Sequence, residues 1–166
     1  MKPIETKRLL IRHMHADDAA FILGLLNEPA FLKNIGDKQV RSIEDALNYI
    51  QTAGFDNYAK HGFGMFMVEL LDSGVHVGIC GLLQREVFDF PDVGFALSEA
   101  FWGKGYATEA ASAVKDWAQS ELGVEMVLGI VAQDNLASRR LLEKLGLNFE
   151  KLIRMSEGAP EICFYS

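Results

Sequence analysis

The sequence predicts a mixed α/β (α+β) fold. It consists of a central, mostly antiparallel twisted sheet of about six to seven strands with one parallel pair, flanked by about four helices. Three observations predict it. Apolar residues at helical spacing give way after Gly62 to runs rich in β-branched and aromatic residues. Short turns join those runs, as in an antiparallel meander. A glycine-bracketed turn then leads from the last of these strands into a long helix, and a further strand follows, the order of a parallel crossover.

In chain order, residues 8–12 read as a first strand, charged at both ends. Residues 17–26 carry Ala20, Phe21 and Leu25 at helical spacing, and Asn27-Glu28-Pro29 stops that helix. Residues 31–40 are mixed and read as loop. Ser42 and Asp45 have the form of a capping box, which starts a second helix running to about Tyr58. Strands follow over 63–71 and 75–88, with Asp72-Ser73-Gly74 supplying hairpin turn chemistry. A turn over 89–92 leads into the strand 93–97. Along 107–119, Ala107, Ala110, Ala111, Val114, Trp117 and Ala118 form one apolar stripe, and Gly123 ends the helix. Residues 125–132 read as a buried strand parallel to 93–97. Asp134-Asn135 caps a short helix to Leu145, Gly146 takes the C-cap position, and 147–155 with 161–165 form a closing hairpin.

With 166 residues, 49% of them hydrophobic, the chain reads as a single domain over 1–166 with a sizeable core. The charged opening lacks the apolar block of a signal peptide, and no apolar run reaches membrane-spanning length, so no membrane role is expected. Cys80 and Cys163 sit in apolar stretches and read as buried thiols, which fits a reducing, cytoplasmic compartment. The net charge of -7 argues against nucleic acid as a partner. It suits a cationic acceptor, and it equally suits simple solubility. A polyanionic ligand would need a local exception, which Lys104, Arg139, Arg140 and Lys144 supply if their helices meet. His13, His15, His61 and His76 show no ligand spacing, so no metal is expected.

The run 101–110 carries the most chemistry. A strand, a turn containing Gly103 and Gly105, and a helix start aim unpaired N–H groups at one point, where the helix dipole adds to them. That is a site for phosphate or pyrophosphate, or else a plain strand-to-helix loop. A Walker loop is excluded because Lys104 is followed by Gly105, not Ser or Thr. A dinucleotide fingerprint would need glycine where Thr108 stands, and would come earlier in the chain.

Gly103-Lys104-Gly105-Tyr106-Ala107-Thr108-Glu109-Ala110 strongly resembles the acyl-CoA pyrophosphate loop of the GNAT superfamily of N-acyltransferases. The likeness is to the branch that holds the ribosomal-protein N-terminal acetyltransferases. Trp102 stands where Gln or Arg is usual. Two further segments match in order, covering nearly the whole chain. Asn135-Leu136-Ala137-Ser138 leads into Leu142-Glu143-Lys144-Leu145-Gly146-Leu147, and Glu5-Thr6-Lys7-Arg8-Leu9-Leu10-Ile11-Arg12 is typical of the branch.

The resemblance implies a GNAT-like fold and direct transfer of acetyl from acetyl-CoA to a primary amine, either a protein N-terminus or a small molecule; the sequence leaves monomer and homodimer both open. It implies that N–H groups from Gly103, Lys104, Gly105, Tyr106, Ala107 and Thr108 hold the pyrophosphate. The thioester would then lie against a splayed strand at Phe95, Ala96 and Leu97. An α-amine of pKa near 7.8 costs about 1 kcal/mol to deprotonate at pH 7, and a lysine near 10.4 costs about 4–5. A lysine acceptor therefore wants a dedicated base. Asp92 is the first candidate base, or else a turn residue, and Glu86 and Glu69 are weaker ones. The tyrosine that many members use as general acid is replaced by Leu142. Ser138 holds that role in the resembled branch, and helical spacing sets it on one face with Leu141, Leu142 and Leu145. A satisfied buried hydroxyl is its alternative. Asn135 caps its helix, bonds the pantetheine arm, or does both. Trp102 and Tyr106 read as packing residues. Phe21, Phe31 and Tyr49 would line the acceptor pocket. The alternative to an enzyme is a catalytically degenerate acyl-CoA-binding sensor or scaffold.

Overall fold

The computed structural model describes residues 1–166. Its elements run β1 (Ile4–Glu5), β2 (Leu9–Arg12), α1 (Ala19–Leu26), α2 (Pro29–Asn34), α3 (Ile43–Tyr49), α4 (Asp56–His61), β3 (Met65–Leu70) and β4 (His76–Leu83). They continue as β5 (Asp92–Leu97), α5 (Tyr106–Leu122), β6 (Gly129–Ala132), α6 (Leu136–Lys144), β7 (Phe149–Ile153) and β8 (Ile162–Tyr165). Strands β1 to β5 form one antiparallel sheet in chain order, and β6, β8 and β7 form a second. The two sheets touch at one parallel bridge, Asp92 with Leu128.

This is the mixed architecture expected, with eight strands in place of six or seven. The parallel pair shrinks to that bridge because only residues 129–132 of the stretch 125–132 join a ladder, pairing with β8. Pro29, read above as a stop, sits in the first turn of α2, where its fixed φ and missing N–H cost nothing. The loop expected over 31–40 is therefore helical to Asn34. The Ser42 capping box forms as expected, with Asp45 N–H donating to Ser42 Oγ at 3.1 Å and Ser42 N–H to Asp45 Oδ2 at 2.9 Å. The helix it starts passes through a π-helical stretch over Ile50–Phe55 before α4.

The five-stranded sheet separates two apolar clusters. One packs α5 and α6 against the face bearing Phe66, Val68, Cys80 and Leu82. The other packs α1 and its neighbours against Met65, Met67 and Ile79. Burial pushes the Cys80 thiol up to about 12, so it serves as a small apolar residue. At Gly78, β4 presses close to β5: a Cβ there would lie 2.2 Å from the Ala96 carbonyl oxygen. A Gly78→Ala protein is expected to lose about 2 kcal/mol or more of stability, because backbone has to move. Urea unfolding checks this, and a loss under about 0.5 kcal/mol would mean the strands part freely.

On the α1 face, four charged or polar groups from distant parts of the chain converge. Arg12 Nη1 and Nη2 donate to Asp18 at 2.9 and 2.8 Å, and Nε donates to Glu69 Oε1 at 3.0 Å. His76 Nε2 lies 3.2 Å from Glu69 and 3.4 Å from Asp18. Asp18 is 2% and Glu69 8% exposed, so the Arg12 guanidinium is what permits two buried carboxylates here. No helix is long and apolar enough to cross a membrane.

Candidate functional site

Strand β5 is paired on one edge and parted from its neighbour on the other. Ser98 N–H donates to Val77 O at 3.0 Å, which sets the ladder so that Ala96 and Gly94 also turn their backbone groups toward β4. The alternate residues point the other way. Val93 N–H donates to Leu128 O at 2.9 Å, and Leu128 N–H to Pro91 O at 2.8 Å. Past that point β6 turns to β8. The Phe95 and Leu97 N–H groups therefore face the gap between the two sheets. The indole of Trp102, 51% exposed, donates to the Leu97 carbonyl at 2.8 Å and so fixes one wall of the gap's mouth.

The gap opens into a cleft of about 610 Å³. Phe95, Ala96 and Leu97 line it from β5, Gly103, Gly105, Tyr106, Ala107 and Thr108 from the turn and start of α5, and Asn135 and Ser138 from the start of α6. Of the ligand-binding residues expected from sequence, only Lys104 stays outside it. The Lys104 ammonium lies 5.3 Å from the Phe101 ring centroid. Gly105 is the N-cap of α5 at φ 81°, a left-handed conformation that glycine adopts without the cost a Cβ would add. Those N–H groups have no intrahelical partners, and the 17-residue helix behind them supplies a positive end.

At the facing helix, Asn135 Oδ1 accepts the Ser138 N–H at 3.1 Å, so its capping role is met by the carbonyl while the amide nitrogen is left over. Ser138 is half-buried and lines the cleft. Arg140 and Lys144, one turn apart, also line the cleft. They are the local cationic exception in a chain of charge -7. Arg139 points away, donating to Tyr165 Oη at 3.0 Å. Leu142 is 1% exposed in the core.

The far wall is α2, through Ala30, Phe31, Asn34 and Ile35. Sequence reasoning had only Phe31 of these. Helix α2 is tied to the turn after β5 by a reciprocal pair of bonds. Glu99 N–H donates to Glu28 Oε2 at 3.0 Å, and Ala30 N–H to Glu99 Oε1 at 3.3 Å. Of the other residues expected on the acceptor side, Phe21 packs on His76, with centroids 5.1 Å apart, and Tyr49 packs beneath in the α1-side cluster.

The candidate bases lie elsewhere. Asp92, 1% exposed, is held by Arg85 through Nε at 2.6 Å and Nη2 at 3.3 Å, and does not line the cleft. Burial pushes its pKa above the ordinary carboxyl value despite the opposing Arg85 bond and charge. Glu69 is taken up by Arg12, and Glu86 is exposed in the turn after β4. No carboxylate or histidine lines the cleft. Asp18, Glu69 and His76 do offer ligand atoms within 4.8 Å of one another, but Arg12 is already bonded to both carboxylates.

Comparison with known proteins finds similar acetyltransferases. A family model described as the acetyltransferase (GNAT) domain matches residues 8–148. The uncharacterized N-acetyltransferase YoaA of Bacillus subtilis (strain 168) is 30% identical over 154 residues, covering 91% of this chain and 85% of that protein. An acetyltransferase structure from Agrobacterium tumefaciens superposes with a TM-score of 0.83 at 23% identity, covering 100% of this chain and 95% of that one. The ribosomal-protein alpha-N-acetyltransferase RimL, solved with coenzyme A, superposes at 0.85 with 16% identity, covering 99% and 96%.

Proposed function

The chain belongs to the acetyltransferase (GNAT) family, and on that premise we propose that it carries acetyl from acetyl-CoA directly to a primary amine, with a free α-amine as the favoured acceptor. The observation that carries the choice of acceptor is the make-up of the cleft, which presents backbone N–H groups, two cations and a serine but no carboxylate or histidine. A lysine acceptor would pay about 4–5 kcal/mol for deprotonation without a base to share it, and an α-amine only about 1. RimL, a fold neighbour, is described as acting on a protein α-amine, which points the same way.

In this reading the pyrophosphate sits at the first turn of α5, with Arg140 and Lys144 neutralising coenzyme phosphates from the α6 side. The pantetheine arm runs between β5 and β6, bonding the Asn135 amide and the β5 edge. The thioester oxygen takes a β5 N–H, from Phe95 or Leu97, as charge develops in the tetrahedral intermediate. The neutral amine attacks the thioester carbon and the C–S bond breaks. The thiolate either leaves unaided, its pKa being near a cysteine's, or takes the Ser138 Oγ proton, which the proton shed by the amine nitrogen then replaces. Asp92 acts on the fold through Arg85 and not on the amine. The two free, buried cysteines fit a cytoplasmic setting.

A panel of peptides with free N-termini, polyamines and aminoglycosides, assayed for thiol release from acetyl-CoA, tests this. Release is expected with a peptide N-terminus. Acetyl-CoA binding without release on any acceptor would instead favour an acyl-CoA sensor, which the absence of a base in the cleft makes the second reading. With an acceptor in hand, Ser138→Ala should lower kcat about tenfold to a hundredfold and leave the KM for acetyl-CoA unchanged. An unchanged kcat would mean the thiolate leaves unaided.

A further inference from the structure

Thr6 and Arg8 come from the opposite end of the chain, and neither lines the cleft. Both nevertheless grip the glycine turn. Thr6 Oγ1 donates to Glu109 Oε1 at 2.6 Å, the Arg8 backbone N–H donates to the same oxygen at 2.9 Å, and Arg8 Nε donates to Oε2 at 2.7 Å. Arg8 Nη2 lies 2.6 Å from that second oxygen. The remaining arm of the guanidinium, Nη1, donates to the Lys104 carbonyl at 2.9 Å, and its carbon stands 4.5 Å from the centroid of the Tyr106 ring. Burial alone would raise the Glu109 pKa, but the bonds from Thr6 and Arg8 outweigh it and hold the carboxyl below its ordinary range.

These contacts have a direction. In a trans peptide the C=O and N–H point opposite ways. Arg8 holds the Lys104 carbonyl on the side of the N-terminal strands. The N–H of that same peptide belongs to Gly105, which lines the cleft, and it is thereby turned toward the ligand side. On one side this peptide is followed by Gly105, which at φ 81° has no Cβ to resist its rotation.

We propose that Arg8, set in place by Glu109 and Thr6, is a positioning residue that fixes the Lys104–Gly105 peptide so that its N–H meets the coenzyme pyrophosphate. The inference rests on the acetyl-CoA reading above. Arg8 touches no substrate, and its own charge is compensated by Glu109, so it acts through the peptide and not through a long-range field.

Calorimetric titration of wild type, Arg8→Ala, Arg8→Lys and Glu109→Gln with coenzyme A and with 3′-dephospho-coenzyme A tests this. Each variant's thermal midpoint is measured alongside. Arg8→Ala should bind both ligands about tenfold or more weakly, by the same factor, since both carry the pyrophosphate. Arg8→Lys should be nearly as poor, because an ammonium does not bridge the Lys104 carbonyl and both Glu109 oxygens. Glu109→Gln, which keeps the shape of the clamp and weakens it, should lose about threefold and stands in if the Arg8 variants fail to fold. Wild-type affinity in Arg8→Lys, or a loss confined to coenzyme A with its extra phosphate, would make Arg8 a mere charge and overturn the proposal. Unchanged affinity in every variant would overturn it as well. Wild-type protein that binds neither ligand would instead bring down the coenzyme reading itself.

Discussion

An Arg12→Ala protein is expected to unfold about 6–12 °C below wild type at pH 7, a loss of about 3 kcal/mol. The cause is what Arg12 leaves behind. Asp18 and Glu69, 2% and 8% exposed, both accept from its guanidinium, and His76 sits 3.2–3.4 Å from them as a weaker, protonation-dependent partner. Without Arg12, two carboxylates face each other in a desolvated pocket, and neither is well accommodated as an anion. The pH dependence distinguishes this from simple loss of packing. In wild type, burial works to raise the Asp18 pKa, but the Arg12 and His15 hydrogen bonds prevail and hold it below its ordinary value of 3.8. That stability is present above about pH 4 and lost as pH falls through the folded pKa. In the variant the burial that raises the Asp18 pKa loses its main opposition, so folding takes up a proton there and stability rises as pH falls from 7 toward 5. The gap between the two proteins should therefore narrow on acidification. Thermal unfolding at pH 7 and pH 5 measures it. An equal gap at both pH values, or a gap under about 1 kcal/mol at pH 7, would mean the quartet is not held by Arg12.

The glycine-turn and α6 walls of the cleft are legible in the sequence because their determinants are local. Gly103, Gly105 and the start of α5 are contiguous, as are Asn135 and Ser138, and period and turn chemistry set their geometry before any tertiary contact forms. What could not be read depends on pairings across the chain. Arg12 and Glu69 are 57 positions apart, and Arg8 and Glu109 101. No spacing rule connects such partners. Asp92 was a reasonable base from its place at the head of β5, but Arg85, seven positions earlier, claims it through the turn between β4 and β5. Helix α2 was missed for another reason: Asn27-Glu28-Pro29 carries both a stop for the helix before it and a start for the helix after it. The splay of β5 from β6 is a tertiary outcome too. An apolar run such as 125–132 looks like a strand whichever neighbour it finally pairs with.

The heaviest loss of coenzyme affinity should come from Gly105→Glu, about a hundredfold or more by calorimetry with coenzyme A. Two effects act together. At φ 81° any L side chain pays about 1–2 kcal/mol, which the turn recovers by shifting its peptides and so misaligning the N–H groups behind the cap. The new carboxylate would also sit at the positive end of α5, the place a pyrophosphate needs, and within reach of Arg8, whose Nη2 lies 3.4 Å from where the Cβ would be. It would compete with Glu109 for that guanidinium and repel the ligand at once. Gly105→Ala separates the two effects, since it keeps the strain and omits the charge, and about a tenfold loss is expected. Gly123 supplies the control. It is the C-cap of the same helix, also left-handed at φ 67°, and no atom lies within 4 Å of its Cβ position. Gly123→Ala should cost a similar amount of stability, about 1 kcal/mol, and leave coenzyme affinity untouched. If Gly105→Glu bound coenzyme A as wild type does, the pyrophosphate would not be at this turn. If Gly123→Ala weakened binding as much as Gly105→Ala, the effect would be on the helix as a whole. Only a loss specific to position 105, and larger for Glu than for Ala, fits N–H groups that meet a phosphate there.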